Sequence, residues 1–381
     1  MNNIKNFNNL DRAYLINSDL FSLMNEAKKI RNKLYGNKIT YSRKVFVPLT
    51  NICRNQCGYC TFVQEPGSPS AKILSPDEVM EIVFKGEKYG CKEVLFSLGE
   101  KPELKYSSVL DKLKSFGHGT LVKYLSSMCQ LVIKETNLLP HTNIGTLNNN
   151  EIETLKPVTA SMGMMLETTS EKIFKKGGAH HKCPDKVPSR RIHTIELAGK
   201  LKVPFTTGIL IGIGETWDDR IDSILEINNM YKKHGHIQEV IIQNFRAKIG
   251  IPMQSSPEPT LNEMLRTIAI SRLILDPNIS IQAPPNLSND FLKYLDAGIN
   301  DWGGISPVTI DHINPEREWP QIDKLNKLMK DKGYKLKERL TIYPKFQKIN
   351  KNFMADNMVK RILNIADKEG LAINQNSEES L

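Results

Sequence analysis

From Val45 to about Trp302, short apolar runs alternate with longer stretches whose apolar residues recur at helical spacing. A short buried run bounded by Gly, Pro or polar residues reads as a strand. Its repeated alternation with amphipathic helices reads as βα units feeding a parallel sheet. Strands are expected at 45–49, 93–98, 141–144, 159–166, 205–211 and 240–243, with shorter ones at 280–283 and 300–302. Helices fall between them, and Ser75-Pro76-Asp77-Glu78 supplies both a capping box and a first-turn proline for one of them. Eight such units close into a TIM-type (β/α)8 barrel. An incomplete (β/α)6 barrel is the alternative, because the last two strands are short.

The pattern differs at both ends. Ser18 or Asp19 can cap a helix with the apolar face Leu20, Leu23, Met24, Ala27, Ile30 and Leu34, and Gly36 ends it. Residues 1–40 are thus an N-terminal helical extension, 41–320 the barrel core, and 321–381 C-terminal helices, at 321–332 and 358–369, with a polar tail. That tail, 374–381, is expected to be disordered.

Composition adds little to this picture. With 381 residues, 40% hydrophobic and 25% charged, the chain has enough apolar content for one large globular core. The net charge of +10 is spread over dispersed lysines with no basic run interleaved with aromatics, so a solvated lysine-rich surface is expected and nucleic acid is not. A surface of this sign suits an acidic protein partner. The N-terminus shows no charged and apolar leader, and no apolar run could span a bilayer, so a cytoplasmic protein without a membrane partner is expected.

Six cysteines in so long a chain do not read as a disulfide framework. Cys53, Cys57 and Cys60 form C-x3-C-x2-C directly after the first strand, where barrel active groups gather. Three thiolates on one loop can ligate an iron–sulfur cluster and leave one iron without a protein ligand. A structural zinc knuckle is the other reading, but such sites pair C-x2-C units with two further ligands, and none is near in sequence. Cys91 and Cys129 fall in strand and helix patterns and read as small core residues.

The three-cysteine motif, with Tyr59 before its last cysteine and an α/β barrel around it, resembles the radical S-adenosylmethionine (SAM) superfamily. That resemblance implies a [4Fe-4S] cluster with three cysteine ligands and a fourth iron open to SAM. One electron from a reduced donor of ferredoxin or flavodoxin type then yields methionine and a 5′-deoxyadenosyl radical. Further positions match the family's cofactor contacts: Gly99-Glu100 after the second strand, Glu167 after the fourth, Arg191 (with Arg190 adjacent) opening a helix, and Gly212 and Gly214 in GILIGIGE. A carboxylate suits the cofactor's ammonium and an arginine fork its carboxylate.

FSLGEKPE (96–103), HKCPDK (181–186), QNFRAK (243–248) and GINDWGGISPVT (298–309) narrow the likeness to the CofG-type deazaflavin (FO) synthases of coenzyme F(420) biosynthesis. Such an enzyme is a radical SAM lyase and cyclising synthase. The resemblance implies as substrate a hydroxybenzyl–ribityluracil adduct, made by a CofH-type partner subunit, and as products FO and ammonia. The uracil, polyol and phenol of that substrate need polar groups and an apolar slot. Gln243, Asn244, Lys248, Gln282, Asn286, Asp301 and Trp302, expected at or after late-strand ends, are candidates to supply them, and Asp301 is also a candidate for catalysis. His180, His181 and Asp185 on the loop 175–188 could move protons during aromatisation, or the loop could be a lid that only packs. Cys183 beside them could be a fourth cluster ligand. Other radical SAM barrels, biotin-synthase-like or of the menaquinone pathway, and a non-catalytic iron–sulfur carrier are the competing readings.

Overall fold

The computed structural model describes residues 9–349 and 353–373. Its strands are β1 (Lys38–Pro48), β2 (Glu93–Ser97), β3 (Leu139–Asn143), β4 (Ser161–Gly163), β5 (Phe205–Ile211), β6 (Ile237–Asn244), β7 (Ser280–Gln282) and β8 (Asp301–Ile305). Each lies parallel to the next, and β1 pairs with both β2 and β8, which closes the ring. β7 and β8 are short, yet each pairs on both sides. The closed eight-strand barrel therefore holds over the six-strand alternative.

Local sequence fixes the helix starts. Ser75 N donates to the Glu78 carboxylate at 2.7 Å and Ser75 Oγ accepts from Glu78 N at 3.3 Å. The same reciprocal box opens the helices Asn149–Leu155, Trp217–His234 and Leu261–Ile274. In the helix Pro76–Lys88, Gly86 lets the backbone lie on β1, since a Cβ there would come 2.6 Å from Val45 Cγ1. Asp19 caps the helix Leu20–Tyr35 by accepting from Ser22 N, and Gly36 ends it. Leu23 and Ala27 of that helix are buried in the same apolar core as the barrel strands.

Two features lie beyond the sequence pattern. β1 starts at Lys38, earlier than its apolar run, because its first residues pair with a ninth strand, β9 (Lys335–Glu338). The stretch Lys-Leu-Lys-Glu has no strand signature of its own, and pairing to β1 creates it. The chain after β9 then plugs the N-terminal end of the barrel. There buried Arg339 meets Asp301 (Nε to Oδ2, 2.6 Å) and Glu239 (Nη2 to Oε1, 2.8 Å), and Thr341 meets Ser161 (2.7 Å between hydroxyls). The helix expected at 358–369 spans Asp356–Ile365, and the expected polar tail, 374–381, lies outside the described residues. Among the described residues no helix is long and apolar enough to cross a membrane.

The plug corrects two expected site residues. Asp301 opens β8 instead of following it, so its carboxylate faces Arg339 at the barrel end opposite the cysteine loop. Trp302 is buried outside the barrel: its Nε1 donates to Met329 Sδ at 3.4 Å and its ring stands edge-on to Phe291. The strand runs on to Ile305, three residues past its expected end at 302, and that extension leaves both residues at its start.

Burial also sets a pH response. His141 on β3 is pushed down to about 4 by burial; Glu93 favours its protonation, and Lys44 and Arg339 oppose it. His236, just before β6, is pushed to about 3 by burial and by His234. Both bind a proton more readily when unfolded, so their contribution to stability is present above the unfolded value near 6.5 and is lost as pH falls towards 4. Each should cost roughly 2 kcal/mol by pH 5. Thermal melts should fall steadily from pH 7 to pH 5, and His236→Phe should shallow that fall; an identical slope in the variant would rule His236 out.

Candidate active site

The cysteine loop leaves β1 at its C-terminal end and is pinned by the end of β2. Gly99 N donates to Thr50 O at 2.8 Å, and a Cβ on Gly99 would come 2.0 Å from Ile52 O. Glycine is needed here for the protein's own backbone to close up. The contact aims two main-chain N–H groups at Cys53 Sγ, from Glu100 (3.1 Å) and Asn55 (3.4 Å). Donors so placed suit a thiolate. Burial nevertheless pushes the free Cys53 thiol up to about 12, so a thiolate there calls for the positive charge of a bound metal.

Cys53, Cys57 and Cys60 line one cavity of about 260 Å³ together with Tyr59, Glu100 and Glu167. Among the described residues no three His, Cys, Asp or Glu side chains stand close enough to share a single ion. A cluster, which gives each cysteine its own iron, spreads its ligands wider than one zinc ion does.

Charged groups crowd the cavity's inner wall. Glu167 is buried with φ of +69°, a strained value for a non-glycine residue, and its carboxylate meets Lys186 Nζ at 2.6 Å. Burial and Arg191 oppose the Lys186 charge, but Glu167, Cys57 and Glu100 outweigh them and its pKa is raised. Arg191, not Arg190, is the inward arginine: it is buried and donates to Met165 O (2.6 Å), Asp185 O (3.2 Å) and Glu100 (3.5 Å), whereas the Arg190 side chain is 57% exposed. Glu100 also accepts from Thr146 Oγ1 (2.8 Å) and Asn55 Nδ2 (3.1 Å). Lys186 sits in a polar loop, which gave no sign that it turns inward; only the fold puts it against Glu167.

Several expected site residues stand elsewhere. Gly212 and Gly214 build a turn with φ of +89° and +105°, closed by Glu215 accepting from Gly212 N and Ile213 N at 2.8 Å; of that stretch only Leu210 lines the cavity. His180 is buried against Tyr59 and Phe174, and burial, with Lys186 and Arg191, holds it neutral down to about pH 2. Asp185 is buried in an ion pair with Arg54, which leaves no free carboxylate for proton transfer. His181 lines neither this cavity nor the barrel interior. Asn286 donates to Asp311 at 2.9 Å and likewise lines neither. Gln243, Asn244 and Lys248 do line the cysteine cavity, where burial lowers the Lys248 pKa and Asn244 Oδ1 is buried with no hydrogen-bond partner.

A second cavity of about 210 Å³ fills the barrel interior and holds Gln282. It shares Asn143, Met165, Gln243, Ile313 and Asn314 with the cysteine cavity, so the two adjoin across these residues. Its polar wall is Lys44, Glu93 and His141; Lys44 Nζ meets Glu93 at 2.7 Å. Burial alone would raise Glu93, but Lys44 and His141 hold it at about 2. His141 Nδ1 is tied to Ser161 Oγ at 2.6 Å. Phe46 and Trp319 stack face to face, 5.4 Å apart and 2° from parallel, as the apolar wall. None of these five residues stands out in the sequence, because each reads as an ordinary strand or loop position.

The radical SAM superfamily model matches residues 47–227. The chain is 48% identical to the 7,8-didemethyl-8-hydroxy-5-deazariboflavin synthase of Methanopyrus kandleri, over 88% of this chain and 99% of the relative. The chain belongs to this synthase family. It is thus a radical SAM enzyme, and membership implies a [4Fe-4S] cluster and SAM. A longer relative, the FO synthase of Nocardia farcinica, is 47% identical over 89% of this chain, which spans 41% of that protein. Among solved structures, the FeFe-hydrogenase maturase HydG from Carboxydothermus hydrogenoformans shares the fold, with a TM-score of 0.71 at 18% identity over 96% of this chain and 84% of its own. The site suits the implied groups: N–H donors face a buried cysteine sulfur, and an unpartnered Asn244 oxygen faces the same cavity.

Proposed function

We propose that this synthase converts the adduct 5-amino-5-(4-hydroxybenzyl)-6-(D-ribitylimino)-5,6-dihydrouracil to FO with release of ammonia, in coenzyme F(420) biosynthesis. The observation that carries this reading is that a cysteine-lined mouth adjoins a barrel interior that offers a polar wall and an aromatic wall. Cys53, Cys57 and Cys60 hold the cluster, and Glu100, Glu167, Lys186 and Asn244 face the SAM next to it. Reduced cluster and SAM together supply a 5′-deoxyadenosyl radical for hydrogen abstraction. The chain's residues then orient the adduct and keep water away.

Asn143, Gln243 and Asn314, shared by the two cavities, hold the uracil at the junction. The phenol packs on the Phe46–Trp319 stack. The ribityl hydroxyls reach Gln282 and the Lys44–Glu93–His141 wall, where fixed charges and a neutral imidazole offer both donors and acceptors. The electron comes from a reduced carrier of ferredoxin or flavodoxin type. A separate CofH-type subunit supplies the adduct; the greater length of the Nocardia farcinica FO synthase is consistent with a second activity carried on one chain there.

Anaerobic turnover of the reconstituted protein with the adduct tests this reading. Fluorescent deazaflavin, 5′-deoxyadenosine and ammonia should appear together. SAM cleavage without a deazaflavin would assign a different radical reaction, and no SAM cleavage would leave an electron carrier. Gln282→Ala is expected to raise KM for the adduct about tenfold with little change in SAM cleavage, as for loss of one or two hydrogen bonds. An unchanged KM would take the ribityl chain off that wall.

A further inference from the structure

The loop carrying the HKCPDK motif runs along the cysteine loop in the opposite direction and grips it from Arg54 to Tyr59. Gly58 N donates to Ala179 O at 2.8 Å, Tyr59 Oη lies 3.0 Å from His180 Nε2, and Asp185 N donates to Asn55 Oδ1 at 3.1 Å. The Asp185 carboxylate takes the Arg54 guanidinium. In the middle of this brace, Cys183 Sγ stands 3.7 Å from Cys57 Sγ.

We propose that Cys183 is a positioning residue that donates its S–H to the cluster-ligating sulfur of Cys57 and thereby raises the cluster's reduction potential. This rests on the reading of Cys53, Cys57 and Cys60 as cluster ligands. Cys183 is buried and does not line the cavity those three share, so it stands behind Cys57 and not beside it as a fourth ligand. Its S–H has two acceptors in reach, Cys57 Sγ and His181 O at 3.5 Å. Once Cys57 ligates iron, its sulfur carries negative charge and is the stronger acceptor. Hydrogen bonds to cluster sulfurs tune potential, and a donor favours the reduced cluster because that state carries the extra electron. The neighbours of Cys183 on this loop act in the same way: His180, just before the motif, and Asp185, within it, hold the sulfur-bearing loop in register instead of moving protons.

The test compares the native chain with Cys183→Ala and Cys183→Ser, reconstituted anaerobically and studied without substrate. Iron content should be native in all three. In a redox titration followed by electron paramagnetic resonance, the midpoint of Cys183→Ala should shift to lower potential, while Cys183→Ser, which keeps a donor, should stay near native. Beyond the couplings from the main-chain N–H groups at Cys53, the native chain should show an exchangeable proton coupled to the reduced cluster that vanishes in D2O and is missing in Cys183→Ala. Loss of iron from Cys183→Ala would make Cys183 a ligand and overturn the proposal. An unchanged potential with full iron, a serine variant that follows alanine, or no such further coupling in the native chain would each overturn it alone. A native chain that forms no such cluster would overturn the cluster reading and this proposal with it.

Discussion

Alanine in place of Cys53, Cys57 or Cys60, one at a time, should strip the chain of its cluster and lower deazaflavin formation by well over a hundredfold. Loss of an outer partner of a metal site already costs 10- to 100-fold, and a ligand contributes more. The loss should be local, because these three thiols line a cavity and do not pack in the main core. Melting of the metal-free variants should therefore stay within about 1 kcal/mol of the metal-free native chain. Cys129→Ala is the control: that thiol is fully buried in the helix Leu121–Glu135, so the variant should lose some stability and no iron. Iron assay and visible absorption after anaerobic reconstitution read the outcome. A Cys60→Ala chain with native iron and turnover would remove Cys60 from the ligand set.

Arg339→Met should be the most damaging change to stability, at roughly 3–5 kcal/mol, because it leaves Asp301 and Glu239 buried with no cation. Asp301→Asn should also destabilise, since it removes the carboxylate that meets Arg339 Nε and Nη2. The triple change Arg339→Met, Asp301→Asn, Glu239→Gln should cost less than the single Arg339→Met, because no unpaired charge then remains. Urea denaturation of the four proteins decides it. Additive losses would mean that the three side chains do not form one network, and a native-like Arg339→Met would show that the C-terminal plug is not held by this pair.

Much of the barrel could be read from the chain. Apolar runs such as Phe205–Ile211 matched their strands to the residue, and the capping box at Ser75 matched its helix start. Strand ends were less legible where polar residues carry the pairing: β1 extends back to Lys38 and β9 exists only through β1. Asp301 and Trp302 were misplaced for a related reason: the glycines Gly303 and Gly304 hid the continuation of β8 to Ile305, so two residues that open the strand read as its end. The site divided along similar lines. Cys53, Cys57, Cys60, Glu100, Glu167, Gln243, Asn244 and Lys248 all line the mouth, as their placement after strands implied. Lys186 stood in the HKCPDK motif without a role, and His141, Glu93 and Trp319 were invisible, because a histidine or a glutamate in a strand has no local pattern that announces a cavity.

The sequence by itself determined the chemistry on offer: three cysteines at a spacing that one short loop can present, and carboxylates placed where a parallel barrel collects its active groups. Local spacing and strand order suffice for that, because both act within a few residues of chain. The tertiary structure alone decided how that chemistry is tuned and aimed. Cys183 meets Cys57 across 126 positions of chain, and Arg339 meets Asp301 across 38. Contacts at such separations depend on barrel closure and on the burial of charge against charge, which no local pattern encodes.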